Sequence, residues 1–265
     1  MSDVNPLNSR PFRKACKLAA QASKQYEMLA DGDRLLIGVS GGEDSLLLMH
    51  IMTRLQKQAP FNFELLPAFI DLSFTNVQRD LLRQYAENQG WNLHWQCIDG
   101  AALLKEKDAE QRPCSLCSRL RRGQLHQLAD QFNCNKIVLG HHLDDLCCSL
   151  LMALFRGGGL KTMAPNVAAD NSSKRLLRPL CLLSKMQISA AAKPFQFPQI
   201  KSCPYDEELQ KHGDRAYLER LLNQLEQQFP NLRSAMLHSM SDIRLAHLLD
   251  PRYLNLKTDP DKGKL

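Results

Sequence analysis

Short apolar runs that stop at a glycine, an aspartate or a polar pair alternate along this chain with longer stretches of helical spacing. Arg34 to Val39 is the first run, Phe63 to Ile70 the second, Leu93 to Ile98 the third and Lys136 to Leu139 the fourth. Each has strand length, and the stretches between them repeat their apolar positions every three or four residues. Helices are therefore predicted over Ser45 to Gln56, Asn76 to Gln89 and Ser115 to Gln131. Pro67 inside the second run fits only where the strand needs no N–H. The order β, α, β, α, β predicts an α/β fold, a mostly parallel sheet with helices on both faces and ligands at the carboxyl ends of its strands.

The flanks read differently. After a loose tail over residues 1–9, Phe12, Cys16, Leu18, Ala19 and Ala22 fall at helical spacing, with Arg10, Arg13, Lys14 and Lys17 between them. The result is a basic amphipathic helix, either a packed surface helix or a nucleic-acid contact. Residues 156–174 are loop-like, with Gly157-Gly158-Gly159 and Asp170-Asn171-Ser172-Ser173; Arg175 to Leu180 is extended, and Ser184 to Lys193 is a helix stopped by Pro194. From Tyr217 to Leu248 the spacing is helical again, and 256–265 read as frayed. Three segments are expected: an N-terminal tail and helix over 1–30, a main α/β unit over 31–200, and a helical C-terminal appendage over 201–265.

The first strand runs into Gly38-Val39-Ser40-Gly41-Gly42-Glu43-Asp44-Ser45. Two adjacent glycines permit positive φ and close approach of a bulky group. Ser40 and Ser45 place hydroxyls beside the unpaired N–H groups of a helix start, an anion cradle suited to phosphate. Neither the P-loop nor the spaced-glycine dinucleotide spelling is present. The fourth strand stops in a similar way, at Gly140-His141-His142-Leu143-Asp144-Asp145.

Composition narrows the class. With 265 residues, 44% of them hydrophobic, the chain can bury a large core. No run approaches a membrane span and the start lacks a signal-peptide layout, so a cytoplasmic protein without a membrane partner is expected. The charge of +6 suits a polyanionic partner. The 9 cysteines are an odd set without an export signal, which argues for thiols over disulfides. Cys16, Cys97, Cys134, Cys147, Cys148 and Cys181 read as small buried hydrophobes. Cys114 and Cys117 instead form a Cys-x-x-Cys at the start of a basic helix, Ser118-Arg119-Leu120-Arg121-Arg122, a spacing that zinc, an iron–sulfur cluster and a redox disulfide all use. The remaining cysteine in a comparably polar setting is Cys203. Three thiolates hold a cubane cluster by three irons and leave the fourth open to an exogenous sulfur.

Ser40-Gly41-Gly42-Glu43-Asp44-Ser45 resembles the PP-loop of the ATP pyrophosphatases. Taken with Cys114-Ser115-Leu116-Cys117-Ser118-Arg119-Leu120-Arg121-Arg122-Gly123 and Gly140-His141-His142-Leu143-Asp144-Asp145, in that order, it resembles the tRNA-cytidine 2-sulfurtransferase family. The resemblance runs from about residue 12 to about residue 255 and implies an adenine nucleotide α-hydrolase-like fold. It also implies ATP with magnesium (Mg2+), a 4Fe-4S cluster on Cys114, Cys117 and Cys203, and 2-thiolation of a cytidine in the tRNA anticodon loop. A homodimer and a sulfur donor such as a cysteine desulfurase belong to the same expectation. Ser40, Gly41, Gly42 and Ser45 would cradle pyrophosphate and Asp44 would orient magnesium or the nucleotide. Asp71, Gly140, His141 and Asp145 would line the adenosine pocket, with His141 and His142 near proton transfer. Arg119, Arg121, Arg122, Lys174, Arg175 and Arg178 are candidates for RNA phosphates, and Phe74 or Tyr205 for base stacking. Two departures stand out: Glu43 where such enzymes commonly have lysine, and Asp206 where a further cysteine is often found. Rival readings are thiolation of a different base, an ATP-dependent ligase with zinc on the cysteines, and a non-catalytic nucleotide- or iron–sulfur-sensing RNA-binding protein.

Overall fold

The computed structural model describes residues 5–74, 78–106, 113–169, 173–200, 203–205 and 213–254, apart from the side chains of Lys105 and Cys114. The expectations placed on Asn76, Asp170-Asn171-Ser172, Asp206 and 256–265 lie outside the described residues.

Strands β1 (Asp33–Gly38), β2 (Phe63–Asp71), β3 (His94–Cys97), β4 (Lys136–Val138), β5 (Asn166–Ala168) and β6 (Arg175–Leu177) form a 6-stranded sheet in the order β3-β2-β1-β4-β6-β5. Every pair is parallel except β5 with β6. The chain leaves β1 in one direction across the sheet and β4 in the other, so the two strands flank a topological switch point, where α/β sheets bind ligands. Pro67 is accommodated as its chemistry requires. Val39 N donates to Ala68 O at 2.8 Å, so Ala68 faces β1 and the Pro67 nitrogen faces the opposite side, where β3 pairs only from Ala68 onward.

Alternation along β1 divides the core. Leu35 and Ile37 join a buried cluster with α1 (Arg10–Gln25), α2 (Glu43–Gln58) and α7 (Lys185–Ala192), while Leu36 joins a second cluster with α5 (Pro113–Gln131). Helix α1 is started by Ser9, whose hydroxyl accepts from Phe12 N, and buries Phe12, Ala15, Cys16, Ala19 and Ala22. Phe12 is fully buried and meets Phe195 edge-on at 5.1 Å, burial that contributes about 2–3 kcal/mol. A third cluster joins α6 (Leu143–Phe155) to the C-terminal helices α8 (Asp214–Gln228) and α9 (Leu232–Ser241), where Leu218 and Leu222 cover Leu143, Cys147 and Cys148. No helix among the described residues is long and apolar enough to cross a membrane.

Three elements depart from the sequence reading. A short helix α4 (Gly100–Glu106) follows β3 where the sequence reading placed no element, and β5 lies inside the stretch read as a loop. Strand β6 ends at Leu177, short of the Leu180 expected, although Arg178 N still donates to Pro165 O at 2.8 Å in the register of the β5–β6 pairing. Helix α3 (Arg79–Asn88) completes the β2-to-β3 crossover.

Candidate active site

The loop after β1 is built around one hydroxyl. Ser45 Oγ accepts from Ser40 N at 3.0 Å and lies 3.1 Å from Ser40 Oγ, while donating to Gly42 O at 2.9 Å. Gly41 takes φ +83, which only glycine adopts without strain, and a side chain there would press on Ile200. Gly42 caps α2 with no side-chain hydrogen bond, so the first N–H groups of the helix have no capping acceptor. Gly140, at the end of β4, packs its Cα against the Asp44 and Ser45 backbone, and a Cβ there would lie 3.4 Å from Asp44 C.

These two strand ends open into a cavity of about 690 Å³. Its walls include Ser40, Asp44 and Ser45 from the loop, Gly140, His141 and Asp145 from the β4 end, and Arg121 and Arg122 from α5. Cys117 and Cys203 line the same space, although they are far apart in sequence. Cys114 sits one turn before Cys117 on α5, and its side chain lies outside the described residues. Phe74 and Tyr205 meet edge to face at 6.1 Å on the cavity wall.

Other expected residues are placed elsewhere. Gly41 and Gly42 face a neighbouring space of about 230 Å³ beside Gln196 to Ile200, so the loop presents its serines, not its glycines, to the larger cavity. Asp71 is buried and absent from the lining. Arg79 pairs with it through Nε and, at 3.0 Å, through Nη2, and Ser73 N donates to it at 2.9 Å, so this carboxylate ties β2 to the following segment. Those partners outweigh burial and hold its pKa below the usual carboxylate range. Lys174 is buried and ion-paired with Asp130 at 2.7 Å; Arg178 does line the cavity, but it is buried there with Nη1 donating to Ala164 O at 2.5 Å. Neither presents its charge as an exposed RNA contact. Cys97 is exposed on the edge strand, not a core thiol, whereas burial raises Cys147 and Cys181 to about 12 and Cys16 and Cys148 to about 11.

The two histidines divide. His141 Nδ1 lies 3.3 Å from Arg178 Nε, which donates to it, and burial lowers its pKa to about 4; at neutral pH it is uncharged. For His142 burial opposes the charge, but Asp144, Asp145 and Asp44 outweigh it and the pKa rises. Its Nε2 is 3.5 Å from Asp145 Oδ2 and 3.8 Å from Asp44 Oδ2, and Nδ1 is 3.6 Å from Asp144 Oδ2.

Three cations that the sequence reading did not single out complete the charge pattern. Lys185 Nζ binds Asp44 Oδ1 at 2.5 Å and Glu43 Oε2 at 3.0 Å. Arg215 of α8 reaches Asp145 Oδ1 at 2.7 Å, while Asp145 Oδ2 accepts from His142 N at 2.9 Å and caps α6. Arg233 of α9 places Nε 2.8 Å from Asp144 Oδ1, off the line of its N–H, and Lys185 N donates to Asp144 Oδ2 at 2.7 Å. The capping pair Ser184 and Gln187 was the one local signal near Lys185; no local pattern marks Arg215 or Arg233.

A family model of the PP-loop domain matches residues 14–199. The tRNA-cytidine(32) 2-sulfurtransferase of Syntrophotalea carbinolica is 35% identical over 248 residues, covering 92% of this chain and 94% of its own. The chain belongs to the tRNA-cytidine 2-sulfurtransferase family. The family's member in Geotalea daltonii is 34% identical over 246 residues, covering 91% of this chain and 96% of its own. Among solved structures, the U34-tRNA thiolase NcsA from Methanococcus maripaludis with its 4Fe-4S cluster shares the fold at TM-score 0.70 and 18% identity, over 88% of this chain and 80% of that one. The fold is thus the adenine nucleotide α-hydrolase-like one. For this sulfurtransferase chain the PP-loop match stops before Cys203 and Arg215, while the match to the full-length relatives is long enough to include both. Glu43, the residue out of pattern, is turned out of the cavity: Ser189 Oγ donates to it at 2.9 Å and Lys185 neutralises it.

Proposed function

We propose that the chain uses ATP to activate the C2 oxygen of a cytidine in a tRNA anticodon loop and exchanges it for sulfur, giving 2-thiocytidine. One observation carries the reading. Cys117 and Cys203 line the same cavity as Ser40 and Ser45, so a thiol-held centre and a phosphate cradle face one substrate.

Oxide is a poor leaving group, and adenylation removes that obstacle. The cytidine oxygen attacks the α-phosphate, pyrophosphate departs, and the same oxygen later leaves within AMP. Ser40, Ser45 and the uncapped start of α2 hold the phosphates, with Gly41 and Gly42 shaping the turn. Arg121, Arg122 and Arg215 add positive charge to the wall where negative charge develops. Magnesium requires oxygen ligands, and Asp44 offers Oδ2, the oxygen that Lys185 leaves unbound. Gly140 and Asp145 bound the nucleotide pocket, and neutral His141 donates a hydrogen bond from Nε2 without gaining a proton.

The thiol set fits an iron–sulfur cluster: two of its members share the cavity and Cys114 is one helical turn from Cys117. Cys114, Cys117 and Cys203 would hold a 4Fe-4S cluster, which when bound supplies an iron without a cysteine ligand at which sulfur is presented. A cysteine desulfurase is the class of donor that such chemistry needs, and the reading places the protein in the cytoplasm. A homodimer has as its support the exposed Phe155, Phe229 and Leu249, which leave apolar surface at and beyond the end of α6 and on the C-terminal segment.

Anaerobic purification with iron and sulfide analysis, followed by mass spectrometry of tRNA nucleosides from cells lacking the gene and from cells complemented with it, tests this. Loss and return of 2-thiocytidine is expected. Another missing thionucleoside would redirect the substrate, and a colourless zinc protein with an intact thionucleoside profile would sink the proposal.

A further inference from the structure

Helix α1 carries Arg10, Arg13, Lys14, Lys17 and Lys24 and no acidic residue. At 100° per residue these cations fall within an arc of about 100°, centred opposite the buried Phe12, Ala19 and Ala22. All five are exposed, and none has an ion pair or side-chain hydrogen bond among the described residues. The stripe is about 21 Å long at 1.5 Å per residue. It is also placed against local preference. Arg10 and Arg13 sit in the first turns, at the positive end of the helix dipole, with no acid in the first turn to offset them. Folding by itself does not favour that arrangement.

The stripe adjoins the site. Lys14 and Leu18 border a cleft of about 1080 Å³ whose far wall is α8 and α9 and whose floor includes Asp44, Asp145 and Arg215, the residues it shares with the active-site cavity. The apolar face of α1 is buried in the core, so the helix cannot insert into a bilayer.

We propose that the exposed face of α1 is a phosphodiester-binding rail that holds the RNA substrate beside the cleft. It binds by charge, without reading sequence, and so contributes affinity and position but not choice of base. Arg121 and Arg122 on α5 line the active-site cavity itself and are a separate set. The proposal rests on the tRNA-thiolation reading.

The test is the salt dependence of tRNA binding by the full-length protein and by a variant with Arg13→Gln, Lys14→Gln and Lys17→Gln. The plot of log affinity against log salt is expected to flatten by about 2, with roughly tenfold weaker binding at low salt, equally for different tRNA sequences. ATP affinity and melting temperature are expected to stay level, or the latter to rise. In the unsubstituted protein, bound tRNA should protect Lys14, Lys17 and Lys24 from an amine-directed reagent, a readout that needs no variant to fold. An unchanged slope together with unprotected lysines would overturn the rail while leaving thiolation standing. Failure of the unsubstituted protein to bind tRNA at all would overturn both.

Discussion

The two ends of the sheet both carry ionic clusters, and they are built to opposite plans. At the amino end, Asp33 and Lys136 pair at 2.6 Å and are almost fully buried. Asn135 Nδ2 and Ala30 N donate to the carboxylate at 2.8 and 2.7 Å, and the ammonium also reaches Met28 O at 3.0 Å. Both charged groups there have two or more partners. At the carboxyl end, Lys185 and Arg215 remain about half exposed, and His142 stands 3.5 Å or more from each of its carboxylates. A closed cluster fixes strand ends; an open one keeps donors in hand for a ligand. The contrast separates residues that hold the fold from residues that await a substrate, although both sets are charged and partly buried.

The largest break should come from the thiols. Cys117→Ser or Cys203→Ser is expected to lower 2-thiocytidine formation at least a thousandfold, about 4 kcal/mol of barrier, with ATP affinity little changed. Nucleoside mass spectrometry beside nucleotide titration checks it. At the closed end, Lys136→Met strands a buried carboxylate and should cost about 3–5 kcal/mol, roughly 10 °C in melting temperature, read by calorimetry. If that variant is instead as stable as the parent, the closed plan is misread.

A second closed site sharpens the comparison through pH. His50 Nε2 meets Tyr85 Oη at 2.7 Å among Trp91, Phe195 and Phe197, and burial lowers its pKa to about 4. The unfolded chain takes up this proton from about pH 6.5 downward while the folded one resists until about 4. Stability should therefore be whole above about 6.5 and fall by about 3 kcal/mol on acidification to about 4. Urea midpoints measured across that window, flattened in His50→Gln, check it. At the open end, Arg215→Gln should weaken ATP binding about tenfold while shifting the melting temperature only slightly, because an ion pair with one half-exposed partner contributes little to folding. The smallest effect is expected for Glu43→Gln, under about threefold in turnover, since Lys185 keeps Asp44.

Much of this was legible in the sequence. The buried parallel strands are near-continuous apolar runs, and the loop after β1 is spelled out in six consecutive residues. What escaped was decided by packing. Strand β5 has three residues on the sheet edge and no apolar run to announce it. Helix α4 is seven residues long and ends in charged side chains. Asp71 occupies a strand end as ligand residues do, yet Arg79, eight positions on, claims it. Lys185, Arg215 and Arg233 find their carboxylates across long stretches of chain, and nothing beside them in sequence tells a solvated cation from an engaged one.

Asp144 and Asp145 each rest against a guanidinium that arrives from outside the PP-loop match, one from α9 and one from α8. A chain cut after residue 199 would keep its sheet and its serine loop but lose both counter-charges, along with Cys203. Asp145 on the cavity wall would then stand without its guanidinium, and Asp144 would keep only Lys185 N and His142, so the tail of this protein works as part of the lock.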